Sequence, residues 1–534
     1  MSGVRDRYDF IIIGAGSAGC VLANRLSADA RHRVLLLEAG PKDRNPWIHV
    51  PLGYGKLFTN QTLNWLYETE PEANLGSRRI GQPRGKVLGG SSAINGLVYM
   101  RGQAADYDLW RQLGNTGWAY DDVLPYFKRA EDQANGADAW HGVGGPLAVS
   151  DPTFHHPLAD AFIAAAEENG LPRNSDFNGA DQEGAGYFQT TARNGLRCSA
   201  ATAYLKPARR RANVRVVTGA HVQRIVFEDG RAVGVDYDIA GEAQHAICTK
   251  EVILSAGAFG SPTLLELSGI GAGARLRDLG IPVIADRPAV GENLQDHLQV
   301  RVVMEARARN TVNDRYHNVF RRIGMGLEFA LFRRGPLTLS AGIAGAFFKS
   351  RPDLATPDIQ IHFVLFSTDK LGTGLHRFSG FTASVCHLRP QARGSVHAVT
   401  PDASRPPQII GNYLAPREDR RANVEGLKRL RKILSSRAMA PHVVREVMPG
   451  AEVCGDDALL AYCRDHATTI FHPVSTCAMG PEDHAVVTPE LRVRGVEGLR
   501  VVDGSVMPRL VSGNTNAPII MIAEKASDII LRSR

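Results

Sequence analysis

The sequence lacks the cysteine patterns that indicate a disulfide framework or a zinc site. Its seven cysteines are an odd number, and no two of them form a C-x-x-C pair. No apolar run approaches the roughly 18 residues that a membrane-spanning helix needs. The first ten residues, MSGVRDRYDF, lack the apolar region of a secretory signal. We therefore expect a cytoplasmic protein, and no metal site is predicted.

A strong charge of one sign is also absent. The 534 residues carry a net charge of +7, but the basic residues are interleaved with acidic ones apart from short clusters such as residues 209–211, so no nucleic-acid partner is predicted. One segment, residues 319–335, reads VFRRIGMGLEFALFRRG. We interpret it as a helix buried on one face. The alternative is peripheral contact with the inner face of a membrane.

The chain begins with a pattern typical of dinucleotide binding. The buried-strand pattern YDFIIIG at 8–14 runs into Gly14-x-Gly16-x-x-Gly19, a helical segment follows, and a second strand pattern ends at Glu38. Gly14 permits the tight turn, Gly16 a close approach of pyrophosphate, and Gly19 close packing of helix on strand. Glu38 is placed to accept hydrogen bonds from a ribose. The motif alone does not separate NAD from FAD, and a glycine-rich turn that binds nothing is the alternative.

Three further segments are rich in small residues. They are PRGKVLGGSSAINGLVYMRG at 83–102, SAGAFGSPTLLELSGIGAG at 255–273, and the strand, loop and helix pattern of residues 499–530. An NAD fingerprint needs only one such loop. Small residues in four separated places favour a long cofactor that lies across one domain.

Together these segments resemble the glucose-methanol-choline (GMC) oxidoreductase family, in particular its choline-dehydrogenase-like alcohol dehydrogenase branch. GKVLGGSSAIN at 85–95 is similar to the first family signature, and GAFGSP at 257–262 with SGIG at 268–271 is similar to the second. The resemblance implies an α/β plus α+β fold. It places a Rossmann-like FAD-binding domain at 1–155, 215–305 and 465–534, and an antiparallel-sheet substrate-binding domain at 156–214 and 306–464. Strand-like patterns at 359–366 and 381–388 agree with such a sheet.

The resemblance also implies the chemistry. Members pass a hydride from the carbinol carbon of an alcohol to flavin N5, while a base takes the hydroxyl proton. His472, in the sequence Phe-His-Pro-Val, matches that base, and a histidine is mostly neutral at working pH. Asn516 matches the second catalytic position, where an amide donates a hydrogen bond to the substrate oxygen. We expect oxidation of a primary or aryl alcohol to the aldehyde, with oxygen or a quinone or dye as electron acceptor. His466, His297 and residues 155–156 are assigned no chemistry.

Ile94 stands where some relatives attach FAD through a histidine, so noncovalent FAD is expected. Ser475 replaces a glycine common in the family, which puts the loop geometry near His472 in question. With the residues of the first loop, the resemblance gives this set of cofactor contacts: Gly14, Gly16, Ser17, Ala18, Gly19, Glu38, Ala39, Trp65, Val87, Gly90, Asn95, Gly96, Leu97, Val98, Val222, Phe471, Asp503, Gly504 and Ala517.

Other functions remain open at this point. A hydroxynitrile lyase would use the same histidine for acid-base cleavage without redox chemistry. The presence of His472 disfavours flavin photochemistry. The three further glycine-rich segments disfavour an NAD dehydrogenase. A noncatalytic flavin protein is disfavoured because the predicted catalytic residues are all present. The sequence shows no cationic-headgroup cage for choline, and it does not distinguish an oxidase from a dehydrogenase.

Overall fold

The first sheet forms around the apolar run at the start of the chain. The computed structural model describes residues 7–370 and 372–533; residues 1–6, on which the prediction of no secretory signal partly rests, lie outside the described residues. Arg7–Ile13 is almost wholly buried and pairs in parallel with strands on both sides. In spatial order the sheet contains Val214–Thr218, Val34–Glu38, Arg7–Ile13, Glu242–Leu254, Arg231–Ile239 and Ala220–Glu228, with Leu499–Val501 paired to Glu242–Leu254.

The second sheet is antiparallel and has its own apolar core. Helices Pro157–Glu168 and Arg417–Leu434 pack their buried faces against it. In spatial order it contains Val443–Met448, Leu298–Ala306, Gly380–His387, Ile359–Val364, Ala344–Phe348 and Gly184–Tyr187, with Thr468–Thr469 paired to Leu298–Ala306.

The helices connect and cover these sheets. Ser17–Leu26 packs against the C-terminal helix, which brings both ends of the chain to one cleft. The longer helices are Ser17–Leu26, Ala104–Gln112, Tyr120–Ala130, Pro157–Glu168, Gly257–Leu267, Val319–Phe332, Arg417–Leu434, Asp456–His466 and Asn516–Arg532. Shorter ones are Pro46–His49, Tyr54–Leu57, Lys206–Ala208, Gly273–Asp278 and Val312–His317.

The predicted fold class is confirmed, with a parallel β-α-β start and a separate antiparallel sheet. The predicted boundaries differ from the strand pairing. Thr468–Thr469, predicted within the cofactor domain, pairs with a strand of the second sheet. Leu298–Ala306 was placed with the cofactor domain up to residue 305, but it pairs along its length with Gly380–His387 in the second sheet. The division into two domains otherwise stays a prediction.

The arginine-flanked segment forms the helix Val319–Phe332, but its burial is much smaller than we expected. Only Met325 and Phe329 are buried, one turn apart on a narrow edge, and the remaining large apolar side chains face outward. No helix in residues 7–370 and 372–533 combines the length and the apolar character needed to cross a membrane.

Candidate active site

A long cleft opens at the carboxyl ends of the parallel strands. Its first cavity contains about 1300 Å³ of atom-free space and its second about 1200 Å³, part of it open to solvent in each case. The two cavities are adjacent, because both are bordered by the same five residues: Ser17, Arg84, Ser91, Thr515 and Ile519. Ligands of open α/β sheets bind at this edge.

The first cavity is lined by most of the predicted nucleotide contacts. Of that set, Gly14, Gly16, Ser17, Ala18, Glu38, Ala39, Trp65, Gly90, Val222, Asp503 and Gly504 border it. Asn95, Gly96, Leu97, Val98, Phe471, His472 and Asn516 border the second cavity.

Three predicted contacts border neither cavity. Gly19 packs so tightly that an added Cβ would lie 1.9 Å from the carbonyl oxygen of Gly14. Val87 lies in a small apolar cluster, and Ala517 is buried in the main core. Trp65, another of the predicted contacts, borders the first cavity beside His221 and Val222.

The geometry of the first cavity fits an extended dinucleotide such as FAD. An added Cβ on Gly16 would meet no atom within 4 Å, so the start of helix Ser17–Leu26 is open to a pyrophosphate. Both carboxylate oxygens of Glu38 accept backbone N–H groups, from Ala15 and Gly40, each at 2.9 Å. Burial raises the pKa of Glu38 to about 7. Asp503 similarly accepts from the backbone of Gly257 at 2.8 Å.

A buried carboxylate holds the loop that carries His472. One oxygen of Asp296 accepts the backbone N–H of His472 at 2.8 Å, and the other accepts the hydroxyl groups of Thr469 and Tyr413, each at 2.5 Å. Ser475, in the same loop, has a left-handed backbone with φ of 77°. Its buried hydroxyl has no hydrogen-bond partner in the described chain.

The hydrogen bonds around His472 fix which ring nitrogen carries its proton. Nε2 of His297 lies 3.0 Å from the carbonyl oxygen of Leu388, which can only accept, so Nε2 of His297 is the donor. Nδ1 of neutral His297 is therefore an acceptor, and the Nδ1–H of His472, at 3.0 Å, donates to it. The Nε2 of His472 is consequently unprotonated. Burial lowers the pKa of His297 to about 3 and that of His472 well below its usual value, so both rings are neutral.

The amide beside the free nitrogen of His472 belongs to Asn514. Its Nδ2 lies 3.1 Å from Nε2 of His472. Asn516 instead accepts a hydrogen bond from the hydroxyl of Ser17 at 2.8 Å, so it faces the nucleotide loop. Both amides border the second cavity. His362 borders it as well, and burial lowers the pKa of this histidine to about 4.

Sequence reasoning passed over Asn514, His297 and His362. Asn514 is two residues from Asn516, the predicted second catalytic position. Asparagine is common in turns, so its residue type alone does not indicate a catalytic role. His297 and His362 lie on or next to strands of the second sheet, where isolated histidines are usually core residues. No sequence pattern that we used distinguishes them from such residues.

The second cavity has a neutral to positive lining. Its walls are formed largely by apolar groups such as Val98, Val364, Phe366 and Ile470. The charged residues among its described lining are arginines, Arg84 and Arg301, and no carboxylate borders it. Such a site suits an uncharged alcohol and offers no counter-ion to a cation.

Comparison with known proteins gives one family over most of the chain. The models of the N-terminal and C-terminal parts of GMC oxidoreductase match residues 8–299 and 390–523. An alcohol dehydrogenase [acceptor] of Pseudomonas putida is 44% identical, with 98% of this chain and 96% of the relative covered. An oxygen-dependent choline dehydrogenase of Brucella ovis is 43% identical, with 98% and 95% covered.

Solved structures agree with this assignment. Pyridoxine 4-oxidase from Mesorbium loti superposes with a TM-score of 0.88 at 31% identity, with 98% of both chains covered. A fungal aryl-alcohol oxidase superposes with a TM-score of 0.86 at 26% identity, with 99% of both chains covered.

Proposed function

The chain belongs to the GMC oxidoreductase family, and from that membership we propose how this FAD-dependent oxidoreductase of CH–OH donors works. It oxidises a primary or aryl alcohol to the aldehyde, with His472 as the general base. The observation that carries this proposal is the hydrogen-bond chain that assigns the proton of His472 to Nδ1 and leaves Nε2 unprotonated, in a residue that borders the cavity adjacent to the dinucleotide cleft.

His472 takes the hydroxyl proton of the alcohol at Nε2. Its Nδ1–H stays bonded to His297, so the ring keeps its orientation while it gains charge. The Asn514 amide, which lies against Nε2 without substrate, donates to the alcohol oxygen as negative charge builds there. We assign the assisting role to Asn514 on this contact; the sequence-based assignment to Asn516 stays a prediction. When bound, FAD supplies the two-electron acceptor for the departing hydride.

The chain's own residues support noncovalent FAD. Ile94, at the position where a covalent link would form, is buried with other aliphatic side chains and has no nucleophilic atom. The start of helix Ser17–Leu26 would hold the pyrophosphate, Glu38 the adenosine ribose, and Gly96 with Leu97 would border the flavin ring.

The lining of the second cavity supports an uncharged substrate. Although one relative is named a choline dehydrogenase, a quaternary ammonium group would meet arginines here and no carboxylate among the described lining residues. Choline should therefore be a poor substrate compared with aliphatic primary or benzylic alcohols.

We place the protein in the cytoplasm, since all seven cysteines are free thiols and six are buried.

Anaerobic mixing of the purified yellow protein with a panel of alcohols tests the proposal. Bleaching of the flavin by neutral primary or benzylic alcohols, and not by choline, is expected. Oxygen or a quinone dye is then admitted to identify the electron acceptor. His472→Ala should retain FAD and lose bleaching rate by about 10²–10⁴-fold.

Three outcomes would contradict the proposal. Cleavage of a cyanohydrin without bleaching would favour a lyase, although the relatives named above are dehydrogenases and oxidases. Wild-type bleaching by His472→Ala would remove His472 as the base. Release of all flavin into the supernatant after acid precipitation is expected for noncovalent FAD, and flavin that stays with the pellet would contradict it.

A further inference from the structure

The outer face of helix Val319–Phe332 is a continuous apolar stripe. Phe320 is 86% exposed and Leu331 70%, while Ile323 and Leu327 between them are each more than half exposed. These four residues recur at intervals of three and four, so they lie along one side of the helix. The helix is attached through Met325 and Phe329 on a narrow edge, and nothing in the described chain covers the stripe.

Basic side chains border both ends of this stripe. Arg321 and Arg322 lie at its start, and Arg333 and Arg334 follow its end; all four are exposed. Residues 315–334 contain five arginines and one glutamate. None of the four forms a salt bridge to a carboxylate of the described residues. Basic charge is therefore concentrated at the same place as exposed apolar surface, in a chain whose other charges are interleaved apart from short clusters such as residues 209–211.

We propose that this helix is a docking surface for an anionic lipid bilayer, lying in the plane of the membrane surface. The apolar stripe would enter the region between headgroups and acyl chains, and the arginine pairs would contact lipid phosphates. The surface fits this partner by charge complementarity, since an uncharged apolar partner would offer the arginines no anionic group.

A second copy of the chain fits the surface less well. In a two-fold pair of antiparallel helices, Arg321 and Arg322 of one copy would meet Arg333 and Arg334 of the other, and in a parallel pair like ends would meet. Either arrangement places arginines against arginines with one glutamate available in each segment.

The position of the helix relates the membrane to the active site. The chain continues from Phe332 to Ala341, whose backbone N–H donates to the carbonyl of Gly96 at 2.9 Å. Ala341 and Gly96 both border the cavity that contains His472. The helix is thus connected through one short segment of chain to the wall of the catalytic cavity.

Flotation of the holoenzyme with lipid vesicles tests this proposal. Vesicles of phosphatidylcholine with one-third phosphatidylglycerol should carry the wild type upward in a density gradient, pure phosphatidylcholine vesicles much less, and high salt should reduce binding. The triple variant Phe320→Gln, Leu327→Gln, Leu331→Gln should stay at the bottom. Arg321→Glu with Arg322→Glu should weaken the partition coefficient at least about fivefold per residue.

Matched variants on another surface provide the control. Val143→Gln removes an apolar side chain that is 54% exposed, and Arg209→Glu with Arg210→Glu reverses another exposed arginine pair; both should float like the wild type. All variants should keep their flavin and melting temperature.

Three results would overturn the proposal. The wild type does not float with anionic vesicles, or the triple variant floats equally well, or the wild type is a dimer in light scattering that the triple variant converts to a monomer without any lipid binding.

Discussion

Replacement of His297 tests how the structure sets the reactive form of His472. In His297→Leu, the Nδ1–H of His472 loses the acceptor that now lies 3.0 Å away in a fully buried position. A neutral hydrogen bond of this kind contributes about 1–1.5 kcal/mol. That free energy corresponds to a bias of roughly tenfold between the two neutral tautomers of His472. Its loss lets the proton move to Nε2, where the ring no longer accepts a proton from the alcohol.

We therefore expect His297→Leu to reduce the rate of anaerobic flavin bleaching about twofold at saturating alcohol, because loss of a tenfold bias lowers the reactive tautomer from about ten-elevenths to about one-half of the protein. The orphaned N–H also costs about 1–3 kcal/mol of stability, so rate and melting temperature are measured together. Nitrogen NMR of labelled histidine reports the tautomer directly. In the wild type, the proton of His472 should be on Nδ1.

His297→Asn is the matched control. Its side-chain oxygen can lie near the position of Nδ1 and accept from His472, but the shorter side chain does not reach the carbonyl of Leu388. Both variants lose that second bond, so their difference isolates the contact with His472. The reasoning is refuted if the leucine variant bleaches at the wild-type rate, or if the asparagine variant is equally slow.

Three further predictions follow from the same region. Asn514→Ala should slow reduction by alcohol about 10²-fold and Asn516→Ala less, because only Asn514 contacts His472; the reverse order in stopped-flow bleaching would return the assisting role to Asn516. Ser475→Gly should raise the free energy of unfolding by up to about 1 kcal/mol, since it relieves a left-handed backbone and removes an unpaired buried hydroxyl; a lower melting temperature would contradict this. His362 has a folded-state pKa of about 4 against an ordinary 6.5, so the unfolded chain binds a proton at a higher pH than the folded chain does. The contribution of His362 to the free energy of unfolding is therefore complete above pH 6.5 and falls by about 1.4 kcal/mol per pH unit below it. Urea unfolding should show a smaller loss between pH 7 and 5.5 for His362→Asn, and an unchanged loss would show that this histidine is already charged in the folded protein.

Local pattern was sufficient for the elements that depend on nearby residues. The strand at Arg7–Ile13, the glycine turn after it and the strand ending at Glu38 are encoded within about thirty residues, and the periods of two and 3.6 residues specify them. The strands at Ile359–Val364 and Gly380–His387 were legible for the same reason. The resemblance to a family then identified His472 as the base, because a family signature is a short stretch of consecutive residues.

Contacts between segments distant in the chain could not be predicted in the same way. Whether a helix face is buried depends on which other elements pack against it. The pattern of residues 319–335 therefore predicted an amphipathic helix, but it did not predict that the apolar stripe faces outward. The sequence determined that His472 is a histidine beside a proline in a dinucleotide-binding fold. Only the tertiary structure decided that His297, 175 residues away, accepts the hydrogen bond from Nδ1 of His472, and that Asn514 lies beside Nε2 of His472. Tautomer and partner are set by distances of about 3 Å between side chains that the folded sheets bring together, and no local periodicity encodes such distances.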